Sequence, residues 1–169
     1  GKDTIQTNQT LSTIRQRYPS IAITLDGNGA FDSANQGHME FLGSLEAYKL
    51  AMIEQPFKGN DLCGHAALQA ITDTPICLDE SIESCADAQT AIFMGACRVI
   101  NIKPGRVGGI KESIKIHDLA AANNIGVWCG GMGETGIGRA FNIAFAAKEN
   151  CVYPADMSPY TFFYKEDIV

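Results

Sequence analysis

Three acids and a lysine recur along this chain at nearly constant intervals: Asp26, Glu54, Asp79 and Lys103, in steps of 28, 25 and 24 residues. Each falls at the end of a short apolar run, namely IAITLD, AMIEQ, PICLD and RVINIK. Carboxylate oxygens brought together suit a hard cation such as Mg²⁺ or Mn²⁺, which takes few protein ligands and keeps its other positions for water and substrate oxygens. Three unaccompanied carboxylates repel one another, and a dication is what lets them stay ionised side by side. Lys103, next in the series, would then be placed as a general acid or base beside the metal. Taken singly, an acid at such a position more often caps a helix or solvates a loop, and a lysine is more often a surface charge. It is the series in register that points to chemistry.

Such a series needs elements that carry its members to one end of the fold. Short Val- and Ile-rich runs alternate with stretches of helical periodicity from one end of the chain to the other, a pattern that predicts an α/β fold with a parallel sheet. Strands are predicted to end at Asp26, Glu54, Asp79, Lys103, Cys129 and Asp156. Helices are predicted near 4–17, 35–48, 60–71, 84–94, 109–122 and 135–148, the first stopping before Pro19. No linker or low-complexity segment interrupts the alternation, so residues 1–169 read as one domain. In parallel α/β folds the loops at the carboxyl ends of the strands converge on one face. With neighbouring strands roughly 4.8 Å apart, acids at adjacent strand ends can reach one ion.

Composition narrows the classes. With 46% hydrophobic and 19% charged residues the chain can bury a core, which sets aside disordered and fibrous proteins. Thirteen basic against nineteen acidic residues give a net charge of -6, and no Lys/Arg run could track a phosphate backbone. No nucleic-acid partner is expected. The apolar runs fall short of a membrane span, the start GKDTIQTNQT has no signal-peptide character, and a cytoplasmic location is expected. Cys63, Cys77, Cys85, Cys97, Cys129 and Cys151 form no CxxC pair and read as buried reduced thiols rather than disulfides or zinc ligands. His38, His65 and His117 lack paired-ligand spacing and read as surface or helix residues. Gly131, Gly133 and Gly136 form a GxGxxG with Asp156 further on, but only thirteen residues follow that acid, too few for the remaining strands of a dinucleotide fold.

The motifs LDGNGAF, MIEQPF, CLDES, INIKPGRVGGI and VWCGGMGETGIGRA, in this order, resemble the barrel motifs of the enolase superfamily, and most of all its o-succinylbenzoate synthase and N-acylamino acid racemase family. The resemblance covers essentially the whole chain. It implies a partial TIM-type (β/α) barrel of about six of eight strands. It implies Mg²⁺ (or Mn²⁺) held by Asp26, Glu54 and Asp79, and Lys103 as one of two lysines flanking the α-carbon of a small carboxylate substrate, whose α-proton is removed while the metal stabilises the enediolate. Asn28 and Glu80 resemble side chains that support the metal ligands, and the backbone of Gly131, Met132 and Gly133 resembles a substrate-lining loop. The family's other lysine, in a KxK motif, would lie just upstream of GKD. Glycines in LDGNGAF and Gly133 depart from the family's usual alanine, serine and bulky aliphatic, which alters the shape of the pocket. The segment DMSP around Asp156 and Ser158 departs from the Asp-x-Asp of dipeptide epimerases and disfavours that activity. Another cycloisomerase or epimerase, or a catalytically inert barrel fragment, are the competing readings. The 169-residue chain alone is expected to be inactive and to self-associate, and the enzyme is expected to be a homo-oligomer.

Overall fold

The carboxylate of Asp3 accepts the Gln6 N–H at 2.9 Å and so caps helix α1 (Thr4–Arg17), satisfying one of the donors a helix start leaves open. The helix stops at Tyr18, ahead of Pro19, a residue whose ring disfavours helical backbone before it. Arg15 then ties the end of this helix to the segments beyond, donating to the carbonyls of Ile21 at 2.7 Å and Tyr48 at 2.9 Å. These details come from a computed structural model, which describes residues 3–169. The first two residues of the GKD segment singled out above lie outside the described residues.

The chain divides into two compact units, one up to Ser81 together with Phe93–Cys97, the other comprising Ile82–Ile92 and Arg98–Val169. In the first, strands β1 (Thr24–Asp26), β2 (Met52–Glu54) and β3 (Ile76–Leu78) pair in parallel in that order. They are connected by helices α2 (Gln36–Ser44), which ends in a 3₁₀ turn over Leu45–Tyr48, and α3 (Leu62–Ile71). β2 and β3 are buried on both faces, as strands covered by crossover helices must be. Ile53, Ile76, Leu78, Leu42, Leu45 and Leu68 are fully enclosed, each contributing about 1.5–3 kcal/mol of apolar burial. Asn35 and Asp61 cap α2 and α3 by accepting the N–H groups of His38 and Gly64. Burial pushes the Asp61 carboxyl up, but the Ser33 hydroxyl and Gly64 N–H outweigh it and hold the group below its ordinary range.

In the second unit, strands β4 (Val99–Ile102) and β5 (Gly126–Cys129) pair in parallel from Val99↔Gly126 to Ile102↔Cys129. Helices α4 (Cys85–Phe93), α5 (Ile110–Ala122) and α6 (Gly136–Ala146) accompany them. Every predicted helix is present; α1 spans its predicted range and the others lose one to four residues at one or both ends. The sixth predicted strand, Cys151–Asp156, is not. It makes a single bridge, Val127↔Cys151, after which the N–H groups of Val152 and Asp156 reach back to the carbonyls of Val127 and Cys129. Pro154 has no N–H to donate and interrupts the ladder. The described residues thus hold five strands rather than six.

His38, His65 and His117 all lie in helices, and His65 and His117 are also buried, packed against Phe57 and Phe145 with ring centroids 5.2 and 6.1 Å apart. All six cysteines are free, yet only Cys77, Cys97 and Cys129 are buried; Cys63 is exposed. Burial pushes the Cys97 thiol up to about 12. No helix of the described residues is long and apolar enough to cross a membrane.

Candidate active site

In the first unit the register of the parallel strands sets the acids. Asp26 pairs with Glu54 across β1 and β2, and Glu54 pairs with Cys77, two residues short of Asp79. Register partners share a face and alternate residues return to it, so the three acids follow one face at the carboxyl ends of adjacent strands. Glu54 and Asp79 are 6% and 3% exposed, while Asp26 is exposed.

The connections after these strands are zipped to one another. Gly27, Gly29 and Phe31 donate their N–H groups to the carbonyls of Glu54, Gln55 and Pro56, and Gln55 donates to Cys77. A Cβ at Gly27 would lie 2.7 Å from the Pro56 Cα, so only glycine permits this approach. Asn28, with φ of 46°, turns its N–H onto Asp26 Oδ1 at 2.8 Å. Its support of that acid therefore comes from the backbone, its side chain being exposed, as is Glu80.

The residue that sequence reasoning missed is Gln55. Fully buried, with φ of 33°, it accepts the N–H of Asp79 at 2.8 Å and that of Ser81 at 3.3 Å on Oε1. Its Nε2 donates to the Phe57 carbonyl and the Ser81 hydroxyl. One amide thereby holds the end of β3 relative to β2. Nε2 also lies 3.3 Å from His65 Nε2, to which the Phe57 N–H points, while His65 Nδ1 lies 2.7 Å from the Asp61 carbonyl. Those partners require a neutral ring protonated on Nδ1. Burial, opposed by the Asp61 carbonyl and carboxylate, depresses its affinity for a second proton.

The three acids fit a hard dication by donor type and by face. As the chain stands, no group of three or more His, Cys, Asp or Glu side chains among the described residues lies close enough to hold an ion. The match is therefore one of chemistry and of placement along the strands.

In the second unit Lys103 directly follows β4 and is half-buried. The β4–β5 register places it opposite Gly130. A Cβ on Gly130 would sit 2.7 Å from Lys103 Cε and would collide with the Asn101 amide. The glycine is what leaves room for the lysine stem. Beyond Lys103 the turn is closed by Arg106 and Val107 N–H groups on the Lys103 carbonyl, at 2.9 and 3.1 Å. Arg106 also donates to the carbonyls of Ile82 and Asn101, both at 2.8 Å.

Gly131, Met132 and Gly133 follow β5. The Met132 N–H is taken by both carboxylate oxygens of Glu134, at 2.8 Å each, and the Gly133 carbonyl accepts the Tyr164 hydroxyl at 2.5 Å. Half of the Met132 side chain is exposed. Gly130, Glu134 and Tyr164 carried no signal in the sequence beyond their place in a glycine-rich turn or an aromatic tail.

Residues 2–169 match the family model of enolase C-terminal domain-like proteins. The chain is 45% identical over 156 residues to an o-succinylbenzoate synthase of Geobacillus kaustophilus, covering 92% of this chain and 41% of that protein. It is 46% identical over 156 residues to an N-succinylamino acid racemase of Amycolatopsis, covering 92% and 42%. The crystal structure of an enolase-superfamily member from Listeria innocua superposes with a TM-score of 0.87 at 44% identity, covering 95% of this chain and 42% of that one. The chain thus spans about two fifths of the length of the relatives it matches.

Proposed function

This chain belongs to the enolase C-terminal domain-like family, and from that premise we propose that it carries the acids and one base of an o-succinylbenzoate synthase with N-acylamino acid racemase capacity. Its α/β architecture of parallel strands and alternating helices is that of enolase-superfamily TIM barrels. The observation that carries the reading is the strand register: Asp26 opposite Glu54, with Asp79 at the end of the next strand.

Asp26, Glu54 and Asp79 would hold Mg²⁺ or Mn²⁺, whose charge stabilises a substrate carboxylate as its α-carbon loses a proton. Everything else falls to the chain's own residues. Lys103 Nζ would give or take the α-proton from one side of the substrate; a racemase needs a second base on the other side, and the family resemblance places it upstream of this segment. The open position at Gly130 lets the lysine stem extend, and the closed turn at Arg106 and Val107 fixes its origin. Gln55 holds the Asp79 backbone, which limits how far that carboxylate can stray. Gly131, Met132 and Gly133 would line the substrate. Synthase and racemase chemistry begin with the same proton abstraction, so one site serves both. The relative named as a racemase, as similar to this chain as the one named as a synthase, favours keeping the second activity. The family resemblance implies a small carboxylate as the substrate.

The test is a metal titration of the natural full-length protein with and without Asp79→Asn. The substitution removes one of three anionic donors and should weaken Mg²⁺ binding by about 10- to 100-fold, with o-succinylbenzoate formation falling in parallel. Unchanged calorimetric affinity would remove Asp79 from the metal site.

A further inference from the structure

Helix α6 begins without a side-chain cap of its own: Thr135 occupies the N-cap position and makes no capping hydrogen bond. The missing acceptor comes from the end of the chain. Asp167 Oδ1 accepts the Gly136 N–H at 2.8 Å and also that of Ile168, and the Gly136 N–H holds the Asp167 carboxyl below the usual carboxylate range. The same segment, Tyr160–Val169, touches the loop before the helix. Tyr164 donates its hydroxyl to the Gly133 carbonyl, and a Cβ on Gly133 would meet the Phe163 ring at 3.7 Å. Further back, the Asp156 N–H reaches the Cys129 carbonyl at 3.1 Å, and the Asp156 carbonyl occupies the space a Gly131 side chain would need. From inside, Glu134 takes the Met132 N–H and is itself held by Asn142 Nδ2 at 3.0 Å.

We propose that the segment Tyr160–Val169 is a strap that positions the Gly131–Gly133 loop, with Tyr164 setting where that loop lies against substrate. This rests on the reading above that the loop lines the substrate. Because the Met132 N–H and the Gly133 carbonyl are both engaged within the chain, the loop meets substrate with the Met132 side chain and the bare glycine backbone. It selects by shape and apolar contact, so it favours the apolar part of a carboxylate substrate over its charged end. Tyr164 is a positioning residue, and no proton passes through it.

The experiment uses the full-length protein and reads backbone amide exchange at Met132 and Gly133 together with steady-state kinetics on synthase and racemase substrates. Tyr164 is exposed, so Tyr164→Phe removes one hydroxyl without opening a core. It should raise exchange at these amides about fivefold and KM about fivefold, with kcat within about twofold, the size of one net hydrogen bond. Asp167→Ala should reproduce the effect and Asp167→Asn, which keeps an acceptor for Gly136, should reverse most of it. Unchanged exchange in Tyr164→Phe overturns the strap. Faster exchange with unchanged KM overturns the positioning role. A parent enzyme without turnover on either substrate class refutes the functional reading by itself, and the exchange measurement still decides the strap.

Discussion

At the scale of single residues, the surroundings of Lys103 leave space for a long stem. Gly130 lies opposite it in the register, and any side chain there would strike Lys103 Cε. Lys103→Ala in the full-length protein removes the stem together with its amine and should leave the strand ends in place. The expected outcome is a loss of about 10³-fold in kcat for both synthase and racemase substrates, the usual range for a general acid or base, with Mg²⁺ affinity within about twofold of the parent. Near-normal turnover would make the lysine a surface charge. The position of Lys103 and of the three acids was legible from spacing, since each closes an apolar run. Gln55 and Gly130 were not. A neutral amide followed by proline reads as a strand exit, and nothing in MIEQPF announces a φ of 33° or an Oε1 aimed at the next strand. Gly130 reads as one more turn glycine until the register shows which side chain it faces.

At the scale of elements, α3 is joined to the ends of β2 and β3 by a buried polar cluster of His65, Gln55, Ser81 and Asp61. The helices and strands themselves were readable from periodicity, because apolar spacing and caps such as Asp61 are local signals. The stretch Cys151–Asp156 also begins with an apolar pattern, yet Pro154 has no N–H to give to a ladder. The polar cluster was illegible because its members come from three stretches of sequence, the exit of β2, the start of α3 and the exit of β3, and its consequence is a pH dependence with a definite sign. His65 is neutral when folded and its affinity for a proton is depressed below the ordinary value of 6.5. In the unfolded chain it binds a proton below that pH, so the unfolded state gains protons first and stability falls as pH drops beneath 6.5, levelling off below the folded pKa. Asp61 acts lower, below its ordinary 3.8, and does not contribute in this window. Urea unfolding should show a lower midpoint at about pH 5 than at about pH 7.5, and His65→Gln should flatten that difference. An equal slope in the variant would assign the pH dependence elsewhere.

At the scale of the whole molecule, the 169-residue polypeptide studied by itself poses a different question from the full-length enzyme. Among the described residues β1 pairs with β2 alone, and an open strand edge is a template for pairing with another chain. Beside it, between α1 and β1, runs a largely apolar cleft of about 310 Å³ lined by Leu11, Ile14, Ile23 and Leu25. The second unit exposes Ile137, Ile143, Phe162 and Phe163. Apolar surface of this extent on both units favours association. Chemistry is limited for a separate reason. Racemisation needs a base on each side of the α-carbon, and of the two lysines that the family resemblance implies, this polypeptide supplies Lys103. The expected outcome for the purified 169-residue polypeptide is concentration-dependent sedimentation and no measurable o-succinylbenzoate formation or racemisation. Adding a second polypeptide that carries the segment preceding this one in its relatives should lower the sedimentation coefficient, by covering the β1 edge, and restore turnover. Activity of the monomeric polypeptide without that addition would place the second base within the polypeptide itself.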